Sequence, residues 1–153
     1  MIRLNDDKRS IKFSGSLLGE SSSKTDTSLR WVEFKLYKTK GGQYILWRIG
    51  KSRVYHTIWC NKKLDFYPSN TVVFSDLIPC QKCQPSPDEE YVSPEMPRSK
   101  ILTTKNAASV IKLLYMVDKD DIQYLTNVAI DLLNQASEND KDIKDAYEEE
   151  YID

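Results

Sequence analysis

The chain has one histidine and three cysteines, and all four fall in the spacing His56-x3-Cys60-x19-Cys80-x2-Cys83. One imidazole and three thiolates are four donors, the number that a structural zinc site takes in tetrahedral geometry. The two-residue gap in Cys80-Gln-Lys-Cys83 lets both sulfurs reach one ion from a single turn, and His56 with Cys60 supplies the other pair. Two other readings of the same residues stay open: a redox dithiol at Cys80 and Cys83, or ordinary small core cysteines beside a lone polar histidine. Redox pairs of this type usually open a helix in a βαβ setting, whereas the residues before Cys80 read as strand and loop. The cofactor expected from the spacing is one structural Zn²⁺, held by His56, Cys60, Cys80 and Cys83. Lys62, Lys63 and Lys82 stand close in sequence and offset the excess negative charge of three thiolates.

These residues also carry a resemblance. Val54-Tyr-His56-x3-Cys60, then Val72-Val-Phe74, then Pro79-Cys80-x2-Cys83-Gln-Pro85 resembles the small metal-binding domain of the Ada DNA-repair protein and its stand-alone relatives, over about residues 53 to 86. The resemblance implies that all four residues ligate zinc. In Ada the first ligand is a cysteine that accepts methyl groups from DNA phosphotriesters, and here that place is taken by His56. An imidazole nitrogen is no substitute for an activated thiolate, so alkyl transfer is not expected. With every coordination position filled by protein, the site lacks the open position that a catalytic zinc keeps, and the expectation is a protein that is not an enzyme.

The rest of the chain offers little other chemistry. Gly41-Gly42, followed by Gln-Tyr, reads as a hairpin turn, Ser14-Gly-Ser-Leu-Leu-Gly19 lacks the Lys-Ser/Thr of a phosphate-binding loop, and Asp118-Lys-Asp-Asp121 lacks the glycine and distant glutamate of a calcium loop, so it reads as a cap for the helix that follows. No catalytic residues are singled out.

Charge is more informative than its total of −1. Residues 30 to 63 hold nine Lys/Arg against Glu33 alone, a balance of +8, and residues 84 to 153 hold sixteen Asp/Glu against seven Lys/Arg, a balance of −9. The basic cations are interleaved with Trp31, Phe34, Tyr37, Tyr44, Trp47, Tyr55 and Trp59, a mixture that can neutralise phosphates and stack on bases. The residues expected to contact DNA or RNA are therefore Lys35, Lys38, Lys40, Arg48, Lys51, Arg53, Lys62 and Lys63. Since alternate residues of a strand face the core, only some aromatics are free to stack, and Tyr37 and Tyr44 beside the hairpin turn are the candidates. The bland reading is a soluble sheet with a lysine-decorated face.

The elements that position these residues follow from periodicity. Ile11, Phe13 and Leu17 suit a first strand running into Gly19, and the apolar-free stretch from Glu20 to Ser28 reads as an exposed loop. From Trp31, residues Val32, Phe34 and Leu36 alternate with Glu33, Lys35 and Tyr37. Thr39-Lys-Gly-Gly42 then turns into a second strand with Ile45, Trp47 and Ile49. Gly50-Lys-Ser reads as a turn, followed by strands at 53–56 and 71–74. Four of the six prolines fall between Cys83 and Lys100, which places a linker there. Beyond it, Ala107, Val110, Ile111 and Leu114, and then Ile122, Leu125, Val128, Leu132 and Ala136, recur at helical spacing.

The expected fold is α+β: a zinc-stabilised antiparallel β domain over 1–86, a Pro-rich linker over 87–100, a helical hairpin over 101–136 and an acidic tail over 137–153. Its helices would offer Val110, Leu114, Leu125 and Leu132 to a protein partner. The expected function is a non-enzymatic accessory subunit that contacts nucleic acid and recruits that partner. The alternatives are an adaptor that binds protein only and, less favoured, a zinc-dependent enzyme. No apolar run is long enough to span a membrane, and Met1-Ile-Arg-Leu-Asn-Asp-Asp-Lys-Arg does not read as a signal peptide, so a cytoplasmic chain is expected.

Overall fold

The computed structural model of the chain describes residues 1–6, 8–25, 30–53, 90–91 and 99–150. Its centre is the hairpin that the alternation predicts. Strand β4 (Arg30–Thr39) pairs antiparallel with β5 (Tyr44–Arg53), Glu33 opposite Ile49 and Tyr37 opposite Ile45. Gly42, at φ 87°, supplies the left-handed residue of the turn between them. Strand β3 (Gly15–Ser22) adds to the outer side of β4, and β7 (Ser99–Thr104) adds to β5. The short β6 (Glu90–Tyr91) also pairs with β5, Glu90 opposite Arg53. All five strands are antiparallel to their neighbours, and the fold is α+β.

The two faces of this sheet bury different layers. On one, Phe34, Leu36, Tyr44 and Leu46 meet helices α1 (Ala107–Leu114), α2 (Asn127–Asn139) and α3 (Lys141–Glu150). On the other, Tyr37, Ile45 and Ile101 are covered at one end by the hairpin of β1 (Ile2–Asn5) and β2 (Ser10–Phe13), whose Leu4 is buried against them. Phe13 meets the ring of Tyr37 edge-on, with centroids 5.4 Å apart.

Helix α2 comes so close to β3 at Gly19 that a larger residue there would require α2 to give way by a few tenths of an ångström. A Cβ on Gly19 would lie 3.0 Å from the Gln135 Cβ and 3.2 Å from the Leu132 carbonyl oxygen. A bulge between Leu17 and Gly19 turns the strand there, and polar side chains of α2 take up its backbone groups. Gln135 Oε1 accepts from the Glu20 amide, and Asn139 Nδ2 donates to the Leu18 carbonyl. The β7 side is closed in the same way: the Ile101 amide donates to Asp6, and the Ile101 carbonyl accepts from Arg9. Side chains thus occupy hydrogen-bonding groups that would otherwise recruit a further strand.

Several expectations are corrected. The stretch from Glu20 to Ser22 is strand, since it continues β3 against Glu33, Phe34 and Lys35. Gly50-Lys-Ser is no turn, because β5 runs through it with Gly50 opposite Val32. Residues 99–104, divided between linker and helical hairpin by the prolines before them, form β7 in the central sheet, so the helices share one core with the strands. The second helix starts only at Asn127, capped by Thr126. Asp118 caps no helix; its carboxylate accepts from the amides of Asp120 and Ile122 and closes a small hairpin of β8 (Met116–Val117) and β9 (Gln123–Tyr124). The acidic segment, expected as a frayed helix or a solvated tail, is helical: residues 137–139 complete α2, and α3 runs through Glu150, held by the fully buried Ile143 and by Ala146 and Tyr147 packed on the core.

Candidate nucleic-acid interface

Each strand element fixes which way a cation points, and the alternation splits the expected set between two surfaces. Lys35 and Lys51 stand on the face away from the helices, and each meets a carboxylate. Lys35 Nζ lies 3.9 Å from Glu20, its partner in the β3–β4 register, and 5.8 Å from the ring centre of Trp47. Lys51 Nζ lies 3.0 Å from Glu33, which also accepts from the Trp31 indole.

Lys38 stands on the helix face, 2.7 Å from Asp140. Asp140 lies between the last two helices: its backbone amide donates to Ala136 at the end of α2, and its carboxylate accepts from Ile143 at the start of α3. It also accepts from the Tyr44 hydroxyl at 2.6 Å. Burial alone would raise the Asp140 carboxyl, but the hydrogen bonds from Lys38, Tyr44 and the Ile143 amide outweigh it and hold its pKa below the usual value. Burial and the hydrogen bond to Asp140 push Tyr44 up to about 12. The Asp140 hydrogen bond raises Lys38 as well. The arrangement joins sheet to helices and leaves Lys38 committed.

Two expected cations differ. Lys40, in the hairpin turn, and Arg48, on β5, are exposed and have no ion-pair partner among the described residues. Arg53 ends β5 opposite Glu90, and its side chain lies outside the described residues. Lys62 and Lys63 also lie outside them. Tyr37 and Tyr44, the aromatics expected to be free for stacking, are buried at 8 % and 2 % exposure, one under the β1–β2 hairpin and the other under the helices.

The four residues expected to hold zinc, His56, Cys60, Cys80 and Cys83, lie outside the described residues, and no cluster of potential metal ligands occurs among those that are described. The described residues that flank this segment, Arg53 and Glu90, form one pair of the β5–β6 ladder.

The residues expected to meet a partner are corrected. Val110 and Leu132 are fully buried, Leu114 nearly so, and Leu125 packs against the same core. Their helical periodicity was a true signal of burial, but the surface that covers them is the sheet of their own chain. Besides Met1 and Leu17, the large apolar side chains exposed among the described residues gather on the end of α1 and on the β8–β9 hairpin: Leu113, Met116, Val117, Ile122 and Tyr124, with Val117 at 55 % and Ile122 at 60 % exposure. A cavity of about 570 Å³ opens between α2 and α3, lined by Ile130, Asn134, Ser137, Lys144, Tyr147 and Glu148, and none of the expected site residues among the described ones lines it. Among the described residues no helix is long and apolar enough to cross a membrane.

No family model matches the chain, and neither the curated proteins nor the solved structures include a significant match to it.

Proposed function

We propose that this chain is a non-enzymatic, zinc-stabilised accessory protein that contacts nucleic acid through cations on and beside its central sheet. The zinc part rests on the tetrad spacing and on the resemblance to the Ada-type domain over residues 53 to 86. The observation that carries the nucleic-acid part is selective neutralisation. Lys35, Lys38 and Lys51 each have a carboxylate within reach, while Arg48 and Lys40 stay exposed without one among the described residues. A surface shaped only for solubility has no reason to spare particular cations, whereas a phosphate-binding surface does.

A second reading, an adaptor that binds protein only, is favoured by the apolar side chains exposed from Leu113 to Tyr124. A pull-down from the protein's own cell extract, with and without nuclease, separates the two. Under the proposed function, captured proteins vanish on nuclease treatment because nucleic acid bridges them. If they persist after nuclease and are lost on Val117→Asp with Ile122→Asp, the adaptor reading replaces it. A zinc-dependent enzyme is the third reading, and it requires a coordination position open to water that the tetrad does not supply.

A further inference from the structure

In the β5–β7 register Arg48 stands directly opposite Lys100, so two cations face each other on the same surface of the sheet. Both are exposed, and neither has an ion pair or hydrogen bond through its side chain among the described residues. Cβ atoms of such cross-strand partners are about 4.5–5.5 Å apart, and like charges placed there destabilise the pair of strands. The same sheet avoids that situation elsewhere: Lys35 has Glu20 as its register partner, and Lys51 lies 3.0 Å from Glu33. A lysine on an outer strand often serves to block strand addition. At this strand Asp6 and Arg9 already perform that service, through the amide and carbonyl of Ile101, and leave Lys100 without that role.

The pair also has the chemistry for one class of ligand. A guanidinium offers a planar fork of donors that fits two oxygens of one phosphate, and an ammonium adds a mobile point charge. We infer that Arg48 and Lys100 together form a phosphate-binding site, which takes the backbone phosphates of a nucleic acid. The inference rests on the proposed function for its biological ligand, and on the cross-strand juxtaposition for its chemistry. In sequence Lys100 follows the prolines and reads as linker, and only the pairing of β7 with β5 brings it beside Arg48.

The test uses the full chain and the double variant Arg48→Gln/Lys100→Gln, with Lys119→Gln in the acidic turn as comparison. Two probes are titrated: a fluorescently labelled single-stranded oligonucleotide over a range of salt, and inorganic tripolyphosphate, followed by the shift in melting temperature. Loss of two phosphate contacts is expected to flatten the plot of log K against log salt by about 1.4, at roughly 0.7 per contact on a single strand. The tripolyphosphate shift is expected to vanish in the double variant and to persist in Lys119→Gln. If the wild-type chain binds the oligonucleotide and the double variant keeps both its slope and its tripolyphosphate shift, the inference is overturned while the nucleic-acid function stands. If the oligonucleotide fails to bind but the tripolyphosphate shift depends on the pair, the nucleic-acid function falls and the phosphate site stands. Failure of the wild-type chain to respond to either probe removes both.

Discussion

Replacing Cys80 and Cys83 together by serine is expected to take the zinc content of the purified chain from one ion to none. Serine keeps the size of the side chain but offers no thiolate, and a site left with His56 and Cys60 has half of the donors that a structural zinc requires. Binding energies of structural zinc are large, on the order of 10 kcal/mol at neutral pH in small zinc-stabilised folds, and that energy acts as folding energy for the segment that supplies the ligands. The effect should be local. Among the described residues, the main core is built on the central strands and the three helices, from Leu18 to Leu46 and from Leu102 to Tyr147. Hydrogen exchange should therefore accelerate across 54–89 while α1, α2 and the β4–β5 ladder remain protected. An unchanged metal content in the double variant would show that the tetrad is not the ligand set.

The second large effect belongs to Asp140. Asp140→Ala removes the ion pair to Lys38, the acceptor for the Tyr44 hydroxyl and the cap on the Ile143 amide at once. Breaking a buried pair costs about 3–5 kcal/mol, and since Lys38 is 27 % exposed and can rehydrate, a loss of about 2–4 kcal/mol is expected. For a chain of this size, at about 2–4 °C per kcal/mol, that is about 4–16 °C in melting temperature. The contribution also has a defined pH window. The Asp140 pKa is lowered in the folded chain, so its contribution is present above the ordinary carboxylate range and is lost as pH falls through the folded value. Tyr44 is raised to about 12, so its contribution is full below its ordinary value and disappears as pH climbs through the raised one. The gap in melting temperature between wild type and Asp140→Asn should hence be widest near neutrality and narrow on both sides. A gap of constant size from acid to alkali would rule out the proposed coupling.

How far the sequence reveals this fold depends on whether the deciding interaction is local. The β4–β5 hairpin is legible because alternation and a glycine turn are properties of the segment itself. The faces of α1 and α2 are legible for the same reason: Val110, Ile111, Leu132 and Ala136 recur at helical spacing and are buried. Strand β7 is not, since Ser-Lys-Ile-Leu-Thr-Thr is short, follows the prolines and is selected by its pairing with β5. Helix α3 carries only Ile143, Ala146 and Tyr147 among its charges. Their i, i+3, i+4 spacing was the signal that its acidic composition outweighed.

The candidate site divides in the same way. A count of cations does not reveal that Lys38 meets an aspartate 102 residues away, or that Lys100 comes to lie opposite Arg48, because both depend on how the strands pair and pack. Amphipathic helices announce a buried face without saying what buries it, which is why Val110, Leu114 and Leu132 were offered to a partner that the sheet replaces. The proposed zinc tetrad rests on its spacing alone, since its four residues lie outside the described ones.

The most direct test of the proposed function is an anisotropy titration of the zinc-loaded wild-type chain against labelled, mixed-sequence single-stranded DNA and RNA at a series of salt concentrations. The account predicts binding at low salt whose log K falls linearly with log salt, by at least the roughly 1.4 that two phosphate contacts require. Absence of binding at low salt, or an affinity indifferent to salt, would contradict it and leave the exposed apolar hairpin as the working surface.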